Sequence, residues 1–271
     1  MSILQSLLTN PALVLRHRNI FLLSHMRANT SLFGHLLGSH PQVEGYYEMH
    51  IGYYSWKSLW RQKLKHFADH EAKPAARWMF DKVLHDGHGV SLELLQRPSS
   101  RSILMLRTPA QSIKSLVVLY REKNPHLPEA TPEGAVRYYI NRLATLAGLA
   151  PALQGRFFYL DAECLVQDTT PTLRALGGWL GLDGPIPSNY QTFSRTGAGN
   201  AGDTSSRLKS GKVSTSRNDY AEIEVSAALM AEASQAYLQH RATLLAHCQQ
   251  RITLAEPIAA APTSAAMPAL A

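Results

Sequence analysis

Cysteine is rare in this sequence: only Cys164 and Cys248 occur in 271 residues. They lie far apart, and neither a disulfide framework nor a zinc-binding spacing can be built from them. Histidine does not supply a metal site either, because His85 and His88 stand in a glycine-containing turn without partners at ligand spacing. We therefore expect no metal ion. The lack of structural disulfides favours a reducing, cytoplasmic location.

Long apolar runs are also missing, and no uncharged stretch is apolar enough to span a bilayer. Residues 1–15 carry no charge, but Gln5 and Pro11 interrupt them and Arg16 follows them. A signal peptide has its basic residues first. The segment therefore predicts a short packing helix, with weak contact to a membrane surface as the alternative.

Positive charge is what the sequence has in excess. Lysine and arginine number 27 against 20 acidic residues, which gives a net charge of +7 and a pI near 9.5. Such a balance fits a polyanionic ligand, a nucleic acid or an acidic surface. No helix-turn-helix, zinc-finger or RNA-binding signature is present, so we expect no nucleic-acid partner.

Residues 19–41 predict a strand, a polar loop and a helix. Ile20 to Leu23 is an apolar run of the length of a buried parallel strand. From Thr30 the apolar residues recur at helical spacing, until Gly38 and Pro41 end the helix. Unpaired backbone N–H groups and the positive end of the helix dipole converge at such a helix start, so this unit predicts a phosphate-binding site.

The loop before this helix is not the P-loop of nucleotide triphosphatases, because Thr30 stands where that motif has its lysine. The cation is instead Arg27. Asn29 can replace a glycine in a left-handed conformation, which asparagine tolerates well. The order Arg27, Ala28, Asn29, Thr30, Ser31 resembles the 5′-phosphosulfate loop of sulfotransferases that use 3′-phosphoadenosine-5′-phosphosulfate (PAPS). An ordinary strand-to-helix turn is the alternative.

A second strand-to-helix unit lies further along the chain. Ser102 to Leu106 predicts a strand, Arg107 follows it, and Thr108 with Pro109 predicts the start of a helix. The spacing from Arg107 to Ser115 is similar to the sulfotransferase motif whose arginine and serine bind the 3′-phosphate of PAPS. Both motifs occur at the family's usual separation, and together they identify the chain as resembling the PAPS-dependent sulfotransferases of the bacterial type.

Three further residues are candidates for catalysis. Glu48 and His50 follow a strand-like run, and residues two apart in an extended segment share a face, where they could cooperate in removing a proton. This segment resembles the Golgi glycosaminoglycan sulfotransferases, in which the glutamate is the general base; a salt bridge is the alternative. Lys82 ends a strand predicted over 77–83. The resemblance implies a catalytic lysine there, with a solvated strand-end lysine as the alternative.

Two longer segments complete the predicted site. Tyr53, Trp56 and Trp60 recur at helical spacing and could line an acceptor pocket or simply belong to the core. Residues 194–217 are rich in glycine, serine and cations. Composition alone predicts a flexible loop. The resemblance implies a lid over the bound cofactor, with contacts from Arg207, Lys209, Gly211 and Lys212.

The alternation of strands and helices predicts an α/β fold with a central parallel sheet in a three-layer sandwich. The resemblance implies the P-loop NTPase-like sulfotransferase fold over residues 1–255, followed by a disordered Ala/Pro-rich tail at 256–271. It also implies sulfuryl transfer from PAPS, without a metal, to the hydroxyl or amine of a small-molecule, lipid or carbohydrate acceptor. A small-molecule kinase on a degenerate P-loop and a non-catalytic binding protein remain alternatives.

Overall fold

The architecture was obtained from a computed structural model that describes residues 11–198, 206–216 and 218–254. Within those residues the chain forms one parallel sheet of six strands, in the spatial order β2-β3-β1-β4-β5-β6. The strands are β1 (Arg18–Ser24), β2 (Val43–Glu44), β3 (Trp78–Val83), β4 (Ser100–Leu106), β5 (Phe157–Asp161) and β6 (Gln250–Ile252). The predicted parallel sheet is confirmed. The predicted tail at 256–271 lies outside the described residues.

Helices connect the strands and cover both faces of the sheet. They are α1 (Thr30–Gly38), α2 (Trp56–Phe67), α3 (Leu92–Leu95), α4 (Pro109–Lys123), α5 (Pro132–Leu149), α6 (Cys164–Gln167), α7 (Thr169–Leu180), α8 (Ser206–Lys209) and α9 (Ala227–His247). Successive residues of β1 enter different cores: Phe21 packs with α4, α5 and α9, whereas Leu22 packs with α1 and α7. The sandwich therefore has three layers, as predicted.

Strand β2 is shorter than the strand-like run in the sequence. The chain turns at Gly45, whose φ is +87° and whose missing Cβ would lie 2.4 Å from the carbonyl oxygen of Phe80. Only glycine fits this close approach to β3 without strain. The turn takes Glu48 and the residues after it away from the sheet and across the carboxyl ends of the strands.

Helix α5 holds that end of the sheet together. Arg142 is buried and donates to the carbonyl oxygens of Ser24 (2.9 Å) and Val83 (2.7 Å), which end β1 and β3. The hydroxyl of Tyr138 donates to the carbonyl of Leu84 (2.8 Å) and accepts the N–H of Met26 (2.9 Å). Ligands of parallel α/β proteins bind beyond the carboxyl ends of the strands. These contacts therefore hold in position the strand ends against which a ligand is expected to bind.

No helix in the described part of the chain is both long and apolar enough to cross a bilayer.

Candidate active site

The loop from Ser24 to Asn29 is held in an uncommon backbone conformation. Arg27 and Asn29 have φ of 64° and 57°, in the left-handed region. The predicted left-handed conformation of Asn29 is thus confirmed, and its side chain donates to the carbonyl of Ala162 (3.1 Å). Left-handed residues other than glycine are uncommon and concentrate at functional sites. Helix α1 then begins at Thr30, so its N-terminus faces the loop.

A neutral histidine links this loop to the second motif. His25 is fully buried, and burial lowers its pKa to about 3. Its Nδ1 donates to the carbonyl of Met26 (2.8 Å), while its Nε2 accepts the N–H of Arg107 (3.0 Å). Only the neutral ring can donate and accept at once, so both bonds require the uncharged form. His25 was not identified from the sequence, because its distant partner Arg107 follows another strand.

The two predicted phosphate motifs border one cavity. Arg27 donates from Nε to the hydroxyl of Ser115 (2.7 Å), and Arg107 donates from Nη1 to the carbonyl of Arg27 (2.9 Å). The lining is dominated by cations and hydroxyls, and includes Arg27, Asn29, Thr30, Ser31, Arg107, Ser115, Arg207, Lys212, Ser214, Ser216 and Tyr220. We call this space the cationic cavity. Ala28, which is part of the loop, is buried and does not border the cationic cavity.

Tyr220 is a cavity residue that the sequence did not reveal. Its hydroxyl lies 3.0 Å from that of Ser115, and its φ of 50° is unusual for a bulky residue. Burial by itself would raise the pKa of Tyr220, but the hydrogen bond with Ser115 and the charge of Arg27 outweigh it and lower the pKa. The phenol therefore lies in a distinctly positive environment.

Two of the four residues predicted to contact the cofactor from the late loop border the cavity. Arg207 and Lys212 border the cationic cavity. Lys209 is exposed with its side chain beside Gly197, and Gly211 turns the chain after α8 with its carbonyl accepting the N–H of Tyr190. Neither borders the cavity. Residues 199–205 and 217, which belong to the same predicted lid, lie outside the described residues.

Helix α4 begins at Pro109 as predicted, but its cap differs from the expected one. The Thr108 hydroxyl makes no capping bond and instead donates to Glu163 Oε1 (2.7 Å). The same oxygen accepts the N–H of Thr108 (3.0 Å). The Glu163 carboxylate, which follows β5, therefore lies at the positive end of α4, where negative charge is stabilised.

A second cavity adjoins the first. It has a volume of about 180 Å³ and is bordered by Met26, Arg27, Thr30, Ser31, Glu48, His50, Lys82, Leu84, His85, Leu119, Tyr120, Lys123 and Asn124. We call it the Glu48 cavity. Arg27, Thr30 and Ser31 border both cavities, so a group bound in one would meet a group bound in the other at these three residues.

Lys82 borders the Glu48 cavity and is buried from solvent. It pairs with Leu22 in the register of β3 on β1, and only 1% of its surface is exposed. Its Nζ donates to the hydroxyl of Ser31 (3.0 Å). The alternative of a solvated strand-end lysine is therefore wrong.

Glu48 has an imidazole on either side. Its Oε1 lies 3.6 Å from Nδ1 of His50 and 3.7 Å from Nε2 of His85, and accepts no hydrogen bond from the described residues. The predicted Glu48–His50 pair exists, but not through an extended strand, because His50 has a φ of 53°. His85, which the sequence showed without partners, is therefore a neighbour of Glu48. Burial lowers the pKa of His85.

Asp81 supports the segment that carries Glu48. It is fully buried and accepts the N–H groups of Met49 (3.1 Å) and Lys82 (2.8 Å) and the hydroxyl of Tyr53 (2.5 Å). Burial raises the pKa of Asp81 to about 7. These bonds fasten residues 49–53 to β3 and so position Glu48 beside Lys82.

The three aromatic residues considered as pocket lining or core lie in different surroundings. Tyr53 is buried against Phe21 and Asp81, whereas Trp56 and Trp60 are exposed on α2. None of the three borders the Glu48 cavity. Among the residues that the structure describes, no group of three or more histidine, cysteine or acidic side chains is arranged to hold a metal ion.

No family model and no curated sequence matches the chain, but solved structures do. The sulfotransferase domain from the curacin biosynthetic pathway superposes with a TM-score of 0.60 at 18% identity, covering 83% of this chain and 97% of that one. The chain has the sulfotransferase fold.

Two further structures support this assignment. The sulfotransferase domain of the Synechococcus PCC 7002 olefin synthase has a TM-score of 0.53 at 18% identity, covering 83% of this chain and 95% of that chain. A sulfotransferase from Alicyclobacillus acidocaldarius has a TM-score of 0.52 at 15% identity, covering 86% of this chain and 96% of that chain. The predicted sulfotransferase fold is confirmed.

Proposed function

We propose that the protein is a sulfotransferase that moves a sulfuryl group from PAPS to a hydroxyl of an acceptor. The observation that carries this proposal is the junction of two unlike cavities at Arg27, Thr30 and Ser31. One cavity is lined by cations and hydroxyls, and the other contains a buried carboxylate. A donor anion and a neutral acceptor need such a pair of sites.

The residues of the cationic cavity fit the donor. Arg107, Ser115 and Tyr220 would hold the 3′-phosphate, while Thr30, Ser31 and the N-terminus of α1 would hold the 5′-phosphate. Arg207 and Lys212 would close the site from the late loop. Among the described residues, the lining includes one carboxylate, Glu163, and its Oε1 already accepts hydrogen bonds from Thr108.

PAPS supplies an activated sulfuryl group whose transfer breaks its bond to the 5′-phosphate. Negative charge then grows on the leaving phosphate oxygen and on the sulfuryl oxygens. Arg27 and Ser31 stand at the junction of the cavities, and Lys82 is bonded to Ser31; all three would stabilise this charge. Cations and donors fixed in advance, away from bulk water, are effective in this role. Burial of Lys82 therefore favours a catalytic function for it.

Glu48 would remove the proton of the acceptor hydroxyl. Its Oε1 is buried and receives no hydrogen bond from the described residues, and Glu48 borders the second cavity. This oxygen can therefore receive a hydrogen bond from the hydroxyl of the acceptor substrate. His50 and His85 would orient the carboxylate. A volume of about 180 Å³ is close to that of cavities which hold one benzene ring, so the reacting end of the acceptor should be about that size.

Two other functions, a kinase and a non-catalytic binding protein, can be distinguished from sulfuryl transfer by experiment. A kinase would need Mg²⁺ and would prefer ATP, whereas the proposed enzyme should work in EDTA. A non-catalytic relative would bind the nucleotide without turnover. The presence of Glu48 and Lys82 beside the phosphate loop favours an enzyme over a binding protein.

Ligand selectivity tests the proposal. Adenosine 3′,5′-bisphosphate should raise the melting temperature well above the shifts caused by 5′-AMP or by ATP with Mg²⁺, since a ligand at a hundred times its Kd adds about 2.7 kcal/mol. Arg107→Ala should remove most of this selectivity, because a charge-assisted bond to phosphate contributes roughly 1.5–3 kcal/mol.

The exposed Arg174 on α7, outside both cavities, provides the control variant Arg174→Ala. Equal shifts with ATP would refute the proposal. Transfer of radiolabelled sulfate from PAPS to a library of alcohols, in EDTA, would then separate an enzyme from a binding protein.

A further inference from the structure

Helix α2 exposes a row of apolar side chains, although Phe67 at its end is buried and Leu59 packs against the core. Helices on the surface of a globular protein normally turn apolar residues inward and polar residues outward. Here Gln62 and His66 are buried, whereas Trp56, Trp60 and Leu64 are 57%, 36% and 36% exposed. The three exposed residues recur at intervals of four and therefore form one stripe along the helix.

Polar contacts hold the helix in this orientation. Gln62 accepts a hydrogen bond from Asn19 of β1 (3.2 Å), and His66 pairs with the buried carboxylate of Glu44 (3.2 Å). Lys65 donates to the carbonyl of Met49 (2.5 Å). Turning the tryptophans inward would break all three contacts, so the outward stripe follows from the packing of the helix.

The exposed apolar surface continues beyond the helix. Lys63 donates to the carbonyl oxygens of Leu13 (3.5 Å) and Leu15, and its Nζ lies 5.9 Å from the centre of the Trp60 ring. Val14 and Leu15 are more than half exposed. We call this surface the tryptophan face; it consists of Val14, Leu15, Trp56, Trp60 and Leu64.

Positive charge borders the tryptophan face, and negative charge is lacking in the same stretch of sequence. Lys57 and Arg61 are exposed on α2, Arg16 is exposed beside Leu15, and no aspartate or glutamate occurs from residue 49 to 68. Basic residues beside exposed tryptophan are typical of helices that lie on membranes. Tryptophan itself favours the boundary between lipid and water.

We propose that the tryptophan face binds the surface of an anionic lipid bilayer, with Trp56 and Trp60 in the headgroup region and Lys57 and Arg61 against lipid phosphates. The Lys65 bond to Met49 places α2 next to the segment that carries Glu48 and His50. A bilayer bound to the tryptophan face would therefore be separated from this segment by one helix.

Vesicle binding by the full chain tests the proposal without reference to activity. The protein should sediment with vesicles of phosphatidylcholine mixed with phosphatidylglycerol, and much less with pure phosphatidylcholine. Its tryptophan fluorescence should shift to shorter wavelength on binding, and added salt should release it. Lys57→Gln combined with Arg61→Gln should weaken binding to the mixed vesicles about thirtyfold, as expected for two cations beside an anionic surface.

Trp56→Ser combined with Trp60→Ser should abolish both sedimentation and the fluorescence shift. Leu238→Ser is the matched control, because Leu238 is similarly exposed on α9, away from this face. Circular dichroism and melting temperature would establish that the variants fold.

Failure of the parent protein to bind mixed vesicles would overturn the proposal, as would undiminished binding by the double tryptophan variant. Concentration-dependent dimers that disappear in this variant, without vesicle binding by the parent, would show instead that a second copy covers the face.

Discussion

The Glu48→Gln substitution tests the proposed chemistry most directly. Glutamine keeps the size and shape of the side chain but cannot take a proton from an acceptor. The carboxylate oxygen at issue, Oε1, accepts no hydrogen bond from the described residues, and the nearby nitrogens of His50 and His85 lie 3.6 and 3.7 Å away. The substitution therefore breaks no close contact at this oxygen.

The expected loss follows from the role of the base. A positioned carboxylate that removes a proton in the transition state contributes roughly 10²–10⁴-fold to the rate. Glu48→Gln should therefore lower the transfer rate by about two to four orders of magnitude. Affinity for adenosine 3′,5′-bisphosphate should stay close to that of the parent, because Glu48 borders the other cavity.

The assay has two parts: single-turnover transfer from radiolabelled PAPS, and nucleotide affinity by calorimetry. Glu232→Gln, at an exposed position on α9, is the control for removal of one negative charge. His50→Ala and His85→Ala should each cost less than Glu48→Gln if the imidazoles only orient the carboxylate.

Two results would refute this reasoning. If His50→Ala or His85→Ala is the more damaging change while Glu48→Gln is nearly silent, that histidine is the base. If all three variants transfer at the parent rate, the acceptor reaches the sulfuryl group from elsewhere, and the Glu48 cavity is not the acceptor site.

Four further predictions concern other contacts. Lys82→Met should lower the transfer rate by about 10²–10³ with little change in nucleotide affinity, as for other fixed donors to a charged transition state, and rapid-quench kinetics would measure this. Tyr220→Phe removes a hydroxyl bonded to Ser115 and should weaken binding of adenosine 3′,5′-bisphosphate, but not of 5′-AMP, by roughly 0.5–1.5 kcal/mol in calorimetry. Arg241→Ala leaves Asp161 buried without its ion pair and should cost about 3–5 kcal/mol in urea denaturation; a loss under 1 kcal/mol would contradict this. Because burial lowers the pKa of His25 from 6.5 to about 3, the unfolded chain binds a proton that the folded chain refuses, so this part of the stability falls as the pH drops through that range. Urea midpoints measured against pH should show this slope, and it should be smaller in His25→Gln.

Local sequence encodes the parts of the site that depend on neighbouring residues. A strand, a turn and a helix start are encoded within a few residues. The sequence therefore predicted that Arg27 to Ser31 and Arg107 to Ser115 each lie where a strand is followed by a helix. The left-handed conformation of Asn29 is also a local property of its side chain. The alternation of strands with helices was sufficient to predict the parallel sheet.

Tertiary structure alone decided which side chains meet across the chain. His85 lies beside Glu48 because β3 ends opposite the turn that follows Gly45, and no local pattern encodes that approach. Burial of Lys82 depends on its register against β1 and on its contact with Ser31 of α1. Helical spacing predicted that Trp56 and Trp60 lie on one side of a helix, but it did not determine whether that side faces the core or the solvent. That direction is set by Asn19 and Glu44, which hold the opposite side of the helix through hydrogen bonds from other elements.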